Sequence, residues 1–148
     1  MRKSDQYYIL LDHTADIGIR VWGATPGALF IHAARGMLDI MLEHAPSAHS
    51  SRDRAVRSRV TITGEDLPHL LAQWLRHLLF QFDAHGEVPI HIHIVELSST
   101  QLVADVISQP FDPAIHRLKT ELKAVTYHQL SVEQVAPDRF EARIIFDV

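Results

Sequence analysis

Apolar residues recur along this chain with two different periods, and the switches between them mark out its elements. Over residues 18–22, Ile19 and Val21 alternate with Arg20 and Trp22, the period of two that defines a strand. Gly23-Ala24-Thr25 then turns the chain, with Thr25 a good N-cap and Pro26 suited to the first helical position. Ala28 stands where Glu or Gln would complete a capping box, so the box is incomplete. Leu29, Ala33, Met37, Ile40 and Met41 follow at helical spacing, which predicts a helix with one buried face. Over residues 43–59 the pattern gives way to Ser, His, Arg and Ala around Pro46, and this stretch reads as a loop. A strand over 56–63 follows, with Val56, Ser58, Val60 and Ile62 on one face and Gly64 at its end. Asp66 caps the strongest helix, in which Leu67, Leu70, Leu71, Trp74, Leu75, Leu78, Leu79 and Phe82 keep the i, i+3, i+4, i+7 rhythm. That face is core.

Beyond residue 86 the period returns to two. Ile90, Ile92 and Ile94 alternate with His91 and His93, and 102–107 is β-branched and apolar. A turn at 110–113 leads to one long extended segment over 119–135. Pro137-Asp138 then folds back a last strand over 140–148 as a hairpin. The order strand, helix, strand, helix, then a run of strands predicts an α+β fold, two helices packed on a mostly antiparallel sheet. With no internal repeat and no linker, residues 1–148 read as a single domain.

Composition narrows the function. Lys and Arg number 14 against 18 Asp and Glu, a formal charge of −4, so the chain is a poor candidate for gripping a nucleic-acid backbone by itself. The absence of cysteine excludes disulfides, thiolate chemistry and Cys-based metal sites. Residues 1–8 lack the apolar stretch of a secretory signal, and no run approaches the length of a membrane span, so the expected location is the cytoplasm.

Three groups of residues could carry chemistry. The strand over 140–148 stays patterned to its last residue, which would hold the Asp147 carboxylate beside the terminal carboxylate of Val148. Two adjacent anions call for a cation or a basic partner. Asp12-His13-Thr14-Ala15-Asp16 could add oxygen ligands, or could be an Asx-type turn satisfying its own backbone. In the extended segment, Lys119, Glu121, Lys123, Val125 and Tyr127 would share one face; this is either a solvated edge or a place where Lys123 meets an anion. Among the 11 histidines, His91 and His93 point the same way, but their isoleucine neighbours favour a half-exposed strand over a metal site.

Taken together, the segments resemble the archease family. Residues 12–19, Asp-His-Thr-Ala-Asp-Ile-Gly-Ile, are similar to its N-terminal signature. Residues 64–75, the stretch from Thr120 to His128, and the closing Phe146-Asp147-Val148 follow in the family's order and cover almost the whole chain. The resemblance implies a protein cofactor and not an enzyme. Archeases assist the GTP-dependent RNA ligase that joins 2′,3′-cyclic-phosphate ends in tRNA splicing and RNA repair, promoting guanylylation of the ligase and many turnovers. It also implies a divalent-metal site, with Ca²⁺ the expected ion and Mg²⁺ or Mn²⁺ as alternatives, formed by Asp16, Asp147 and Val148. Lys123 matches a position implicated in activating the ligase. RNA would then be met only through the ligase. Two other readings compete: a stand-alone metal-dependent phosphoesterase using Asp12, Asp16, Asp147 and His13, and a chaperone-like binding module whose acidic site is a structural clamp.

Overall fold

The computed structural model describes residues 6–11, 15–44 and 54–148. Strands β1 (Tyr8–Leu11) and β2 (Asp16–Gly23) precede helix α1 (Pro26–Met41) and β3 (Leu42–His44). Then come β4 (Val56–Thr63), helix α2 (Leu67–His85), β5 (Glu87–Leu97) and β6 (Gln101–Pro110). Short β7 (His116–Leu118) and β8 (Ala124–Val125) lead to the hairpin of β9 (Ser131–Ala136) and β10 (Arg139–Asp147).

Both helices are entered by the same device. Thr25 Oγ1 accepts the Ala28 N–H at 3.1 Å, and Asp66 Oδ1 accepts the His69 N–H at 2.9 Å, each satisfying a first-turn donor. Two residues before each cap stands a glycine packed against the incoming helix. A Cβ on Gly23 would lie 2.6 Å from Leu29 N, and one on Gly64 would lie 2.7 Å from Leu70 Cα. Only glycine lets each strand end so close to its helix. Helix α2 stops at Gly86, whose φ of 65° is left-handed and whose N–H returns to Phe82 O at 2.9 Å.

In the main sheet β2 lies between β1 and β10, all antiparallel. The far edge of β10 is shared, with β9 pairing its beginning and β8 its end. A second antiparallel sheet runs β4-β6-β5, and β3 and β7 form a small ribbon. The two helices pack on each other and on both sheets, so one core serves all of them. Trp74 of α2 is fully buried and donates its indole N–H to Phe30 O of α1 at 3.1 Å, which locks the helix pair at its centre. The fold is the α+β arrangement of two helices and mostly antiparallel sheet that the periodicity predicts.

Two expectations need correction. The start of the expected loop over 43–59 is strand, since β3 reaches His44, while β4 covers 56–63 as its alternation predicts; residues 45–53 lie outside the described residues. The single extended segment over 119–135 is broken into the two-residue β8 and the separate β9. Between them Gln129 adopts φ 52°, and Leu130 N–H closes a turn onto Tyr127 O at 3.3 Å. Lys123 is exposed while Val125 is buried, so the two do not share a face.

Candidate functional site

Alternation along β2 and β10 sorts the main sheet into two faces. Ile17, Ile19 and Val21 stand opposite Phe146, Ile144 and Ala142, and these residues pack toward the helices. On the other face Asp16 stands opposite Asp147, Arg20 opposite Arg143, and Trp22 opposite Glu141. Directly opposed residues of an antiparallel pair project to the same side with Cβ atoms about 5 Å apart. The pairing therefore brings two carboxylates from the two ends of the chain to one end of the sheet.

Residues 123–126 are clipped to the same end. Lys123 N–H donates to Asp147 O at 2.8 Å, and Ala124 lies in register with Asp147. Thr126 holds Ile145 O twice, through its N–H at 3.0 Å and its hydroxyl at 2.9 Å. Tyr127 then reaches to α2: its hydroxyl accepts from Arg76 at 2.5 Å and donates to Gln73 Oε1 at 3.2 Å, while its ring stacks on His69. Side chains on a helix thus fix the segment that carries the exposed Lys123. Val148 follows Asp147 and is 42% exposed.

Asp16 is half-buried and also lines a cavity of about 370 Å³ with Leu11, Asp39, Ile40 and Lys119. In that cavity the Tyr8 hydroxyl donates to Asp39 Oδ2 at 3.0 Å, and Lys119 Nζ donates to Asp39 O at 2.8 Å. Burial, followed by the charge and hydrogen bond of Asp39, pushes the Tyr8 phenol up to about 12, so it stays a donor at every physiological pH.

Asp16, Asp147, Lys123 and Val148, singled out from sequence, are thus neighbours through the backbone. Asp12 and His13 lie outside the described residues. His91 and His93 are exposed on the second sheet, away from the carboxylate pair. Arg20 and Arg143 were missed: they face each other across β2 and β10, two steps along the strands from the carboxylates, and both are exposed. The alternation that placed Arg20 opposite to Ile19 was visible, but the pairing partner was not.

Chemically, the carboxylate pair offers hard oxygen donors of the type that suits Ca²⁺, Mg²⁺ or Mn²⁺. Among the described residues no three His, Cys, Asp or Glu side chains converge on one point. The pair fits such a cation as a partial ligand set, which a further oxygen donor would have to complete.

These elements define a small α+β protein that presents a carboxylate pair and a strapped-down lysine at one end of its main sheet. The chain matches the Archease protein family (MTH1598/TM1083) over residues 8–148. Protein archease of Thermococcus kodakarensis is 32% identical over 152 residues, and that of Methanosarcina acetivorans is 30% identical over 153, each alignment covering 100% of both chains. The solution structure of Methanobacterium thermoautotrophicum protein 1598 has the same fold, with a TM-score of 0.69 at 24% identity over 97% of this chain and 99% of that one. The Thermotoga maritima structure TM1083, described as an archease and possible chaperone, gives a TM-score of 0.63 at 19% identity over 93% and 94%. The chain belongs to the archease family. Among the described residues no helix is long and apolar enough to cross a membrane.

Proposed function

We propose that this chain is a non-catalytic protein cofactor of the GTP-dependent RNA ligase that seals 2′,3′-cyclic-phosphate ends, promoting ligase guanylylation and repeated turnover. The observation that carries the reading is the register of Asp16 opposite Asp147, with the Lys123 amide bonded to the Asp147 carbonyl. Three positions that the family resemblance marks as functional come from distant parts of the chain and meet at one sheet end. Membership of the archease family supports an accessory role, and the Thermotoga relative described as a possible chaperone is in keeping with it.

In this reading the sheet end docks at the ligase active site. Asp16, Asp147 and the Val148 carboxylate would hold a divalent ion, calcium first, with Mg²⁺ and Mn²⁺ as alternatives, and that ion supplies neutralisation of phosphate charge. Lys123 is exposed and its backbone is fixed by Asp147, and in this reading its ammonium would contact a phosphate of the nucleotide. Arg20 and Arg143 offer two more cations on the same face, and Tyr127 keeps the Lys123 segment from drifting. The pre-formed backbone means that little ordering is left for the moment of docking.

The test is multiple-turnover joining of RNA by the cognate ligase with GTP and Mn²⁺, adding this protein below the ligase concentration. Many turnovers with the native chain, and loss of that stimulation in Asp147→Ala and Lys123→Ala without unfolding, are expected. Stimulation unchanged in both variants would overturn the assignment of the site. Failure of the native chain to stimulate an active ligase would overturn the function. Turnover of a phosphoester by this protein alone would favour the hydrolase reading.

A further inference from the structure

Among the described residues, the second sheet ends on an edge with nothing paired to it. Strand β4 bonds there only to β6, so half of its N–H and C=O groups point away from the sheet. Beside that edge runs helix α2, with a depression of about 510 Å³ between the two; a second, of about 370 Å³, adjoins it at Thr61 and His77 and reaches from β4 across β6 to β5 under the helix. Their walls combine apolar and polar groups: Val60 and Leu78 in one, Ile62 and Phe80 in the other. Phe80 is 58% exposed, unusual for a large aromatic on a helix that otherwise buries its apolar face. A free strand edge alongside a helix, with pockets between, is the geometry by which folded domains add an extended peptide as an extra strand.

Charge selects the occupant. The chain is formally −4, yet this edge is cationic. Arg57 is exposed on β4, and Arg76 borders the groove with its guanidinium bonded, among the described residues, to neutral Tyr127 and Gln73. Arg59 grips Asp105 at 2.8 and 3.1 Å and so cancels the nearest acid on the outer face. Among the described residues, Glu87 is the one acidic residue lining the groove. A second copy of this chain would bring the same arginines to the same edge, so self-pairing is opposed by charge. Period-two geometry gives the ligand its pattern: one side of an added strand lies over Val60, Ile62 and Phe80, and the other beside Arg57 and Arg59.

We infer that the free edge of β4, with the groove against α2, binds an extended segment of a protein partner in which apolar and acidic residues alternate, by strand addition. This surface is separate from the carboxylate pair, so its test needs no ligase and stands whatever the outcome of the joining assay.

The experiment is backbone amide exchange on the intact protein, followed by NMR. The probe is an acetylated, amidated nonapeptide alternating Val and Glu. Exchange of outward amides within 56–63 should slow by at least about tenfold with this peptide, and not with the same peptide N-methylated at alternate residues. Arg57→Glu should weaken binding by about tenfold and gain affinity for a Val/Lys peptide. Four results would overturn the inference: equal binding of both peptides by the native chain, unaltered binding of the N-methylated peptide, protection only outside 56–63, or no protection at all. Protection that grows with protein concentration in the absence of peptide would replace the partner by a second copy.

Discussion

The facing carboxylates of Asp16 and Asp147 give a prediction that can be worked through quantitatively. Opposed side chains in an antiparallel pair stand about 5 Å apart at Cβ. Two unit charges at about that distance repel by about 0.8 kcal/mol in water and about 3 kcal/mol at an effective dielectric of 20. Asp147 is exposed and Asp16 half-buried, so a coupling of about 0.5–1 kcal/mol, toward the aqueous limit, is expected. The assay is a double-mutant cycle of Asp16→Asn and Asp147→Asn, by urea and thermal unfolding, in EDTA and again with excess Ca²⁺. The cycle removes whatever each carboxylate does with other groups and leaves only the term between them. In EDTA that term should be repulsive, equivalent to a Tm change of about 2–4 °C per kcal/mol for a chain of this size. In Ca²⁺ the native protein should gain stability and the term should change sign, because the ion is held by both carboxylates together. A coupling of zero in EDTA would refute the facing geometry. A repulsive term unchanged by Ca²⁺ would refute the shared ion while leaving the geometry intact.

Other consequences follow from the packing. Gly64→Ala puts a Cβ 2.7 Å from the α2 backbone and should cost about 1–3 kcal/mol in urea unfolding; a neutral result would show that the helix entry can shift freely. Trp74→Phe removes the indole N–H that Phe30 O accepts and should cost about 1–3 kcal/mol, with α1 amides exchanging faster than those of β5. Burial lowers the His77 imidazole from its ordinary 6.5, against a smaller upward pull from Glu87. The folded state therefore binds fewer protons than the unfolded one below 6.5, and the stability tied to neutral His77 is present above that pH and lost as pH falls. His77→Gln should flatten that part of the stability profile, and an unchanged slope would exclude His77 as its source.

The helices were legible because two independent signals agree: 3.6-residue periodicity through Leu70, Trp74 and Leu78, and side-chain caps at Thr25 and Asp66. The segment after residue 119 was misread for a physical reason. Its alternation of exposed Lys119, Glu121 and Lys123 holds, but a strand exists only where a partner runs beside it, and β10 offers β8 just two residues. The turn that follows rests on Gln129 at positive φ, a residue type that carries no turn signal. The short β3–β7 ribbon was invisible because three residues carry no period. The carboxylate pair lies between these cases. Asp147 was visible in the patterned last strand and Asp16 in its acidic cluster, and the family resemblance joined them, but that Asp16 faces Asp147 is a matter of register, which no local pattern encodes.

Strand β10 is last in the chain yet central in its sheet, flanked by β2 on one side and by β8 and β9 on the other. Its partner β2 lies about 120 residues earlier, a delay of about 6–24 s at ordinary rates of synthesis. During that interval β2 waits on the emerging chain with one edge unfilled. Such distant pairing is also slow to form after release. A chain interrupted before residue 139 would contain the residues of both helices but lack the sheet end that carries Asp147. The sheet end that carries Asp147 therefore takes shape only once β10 has been made and has paired with β2.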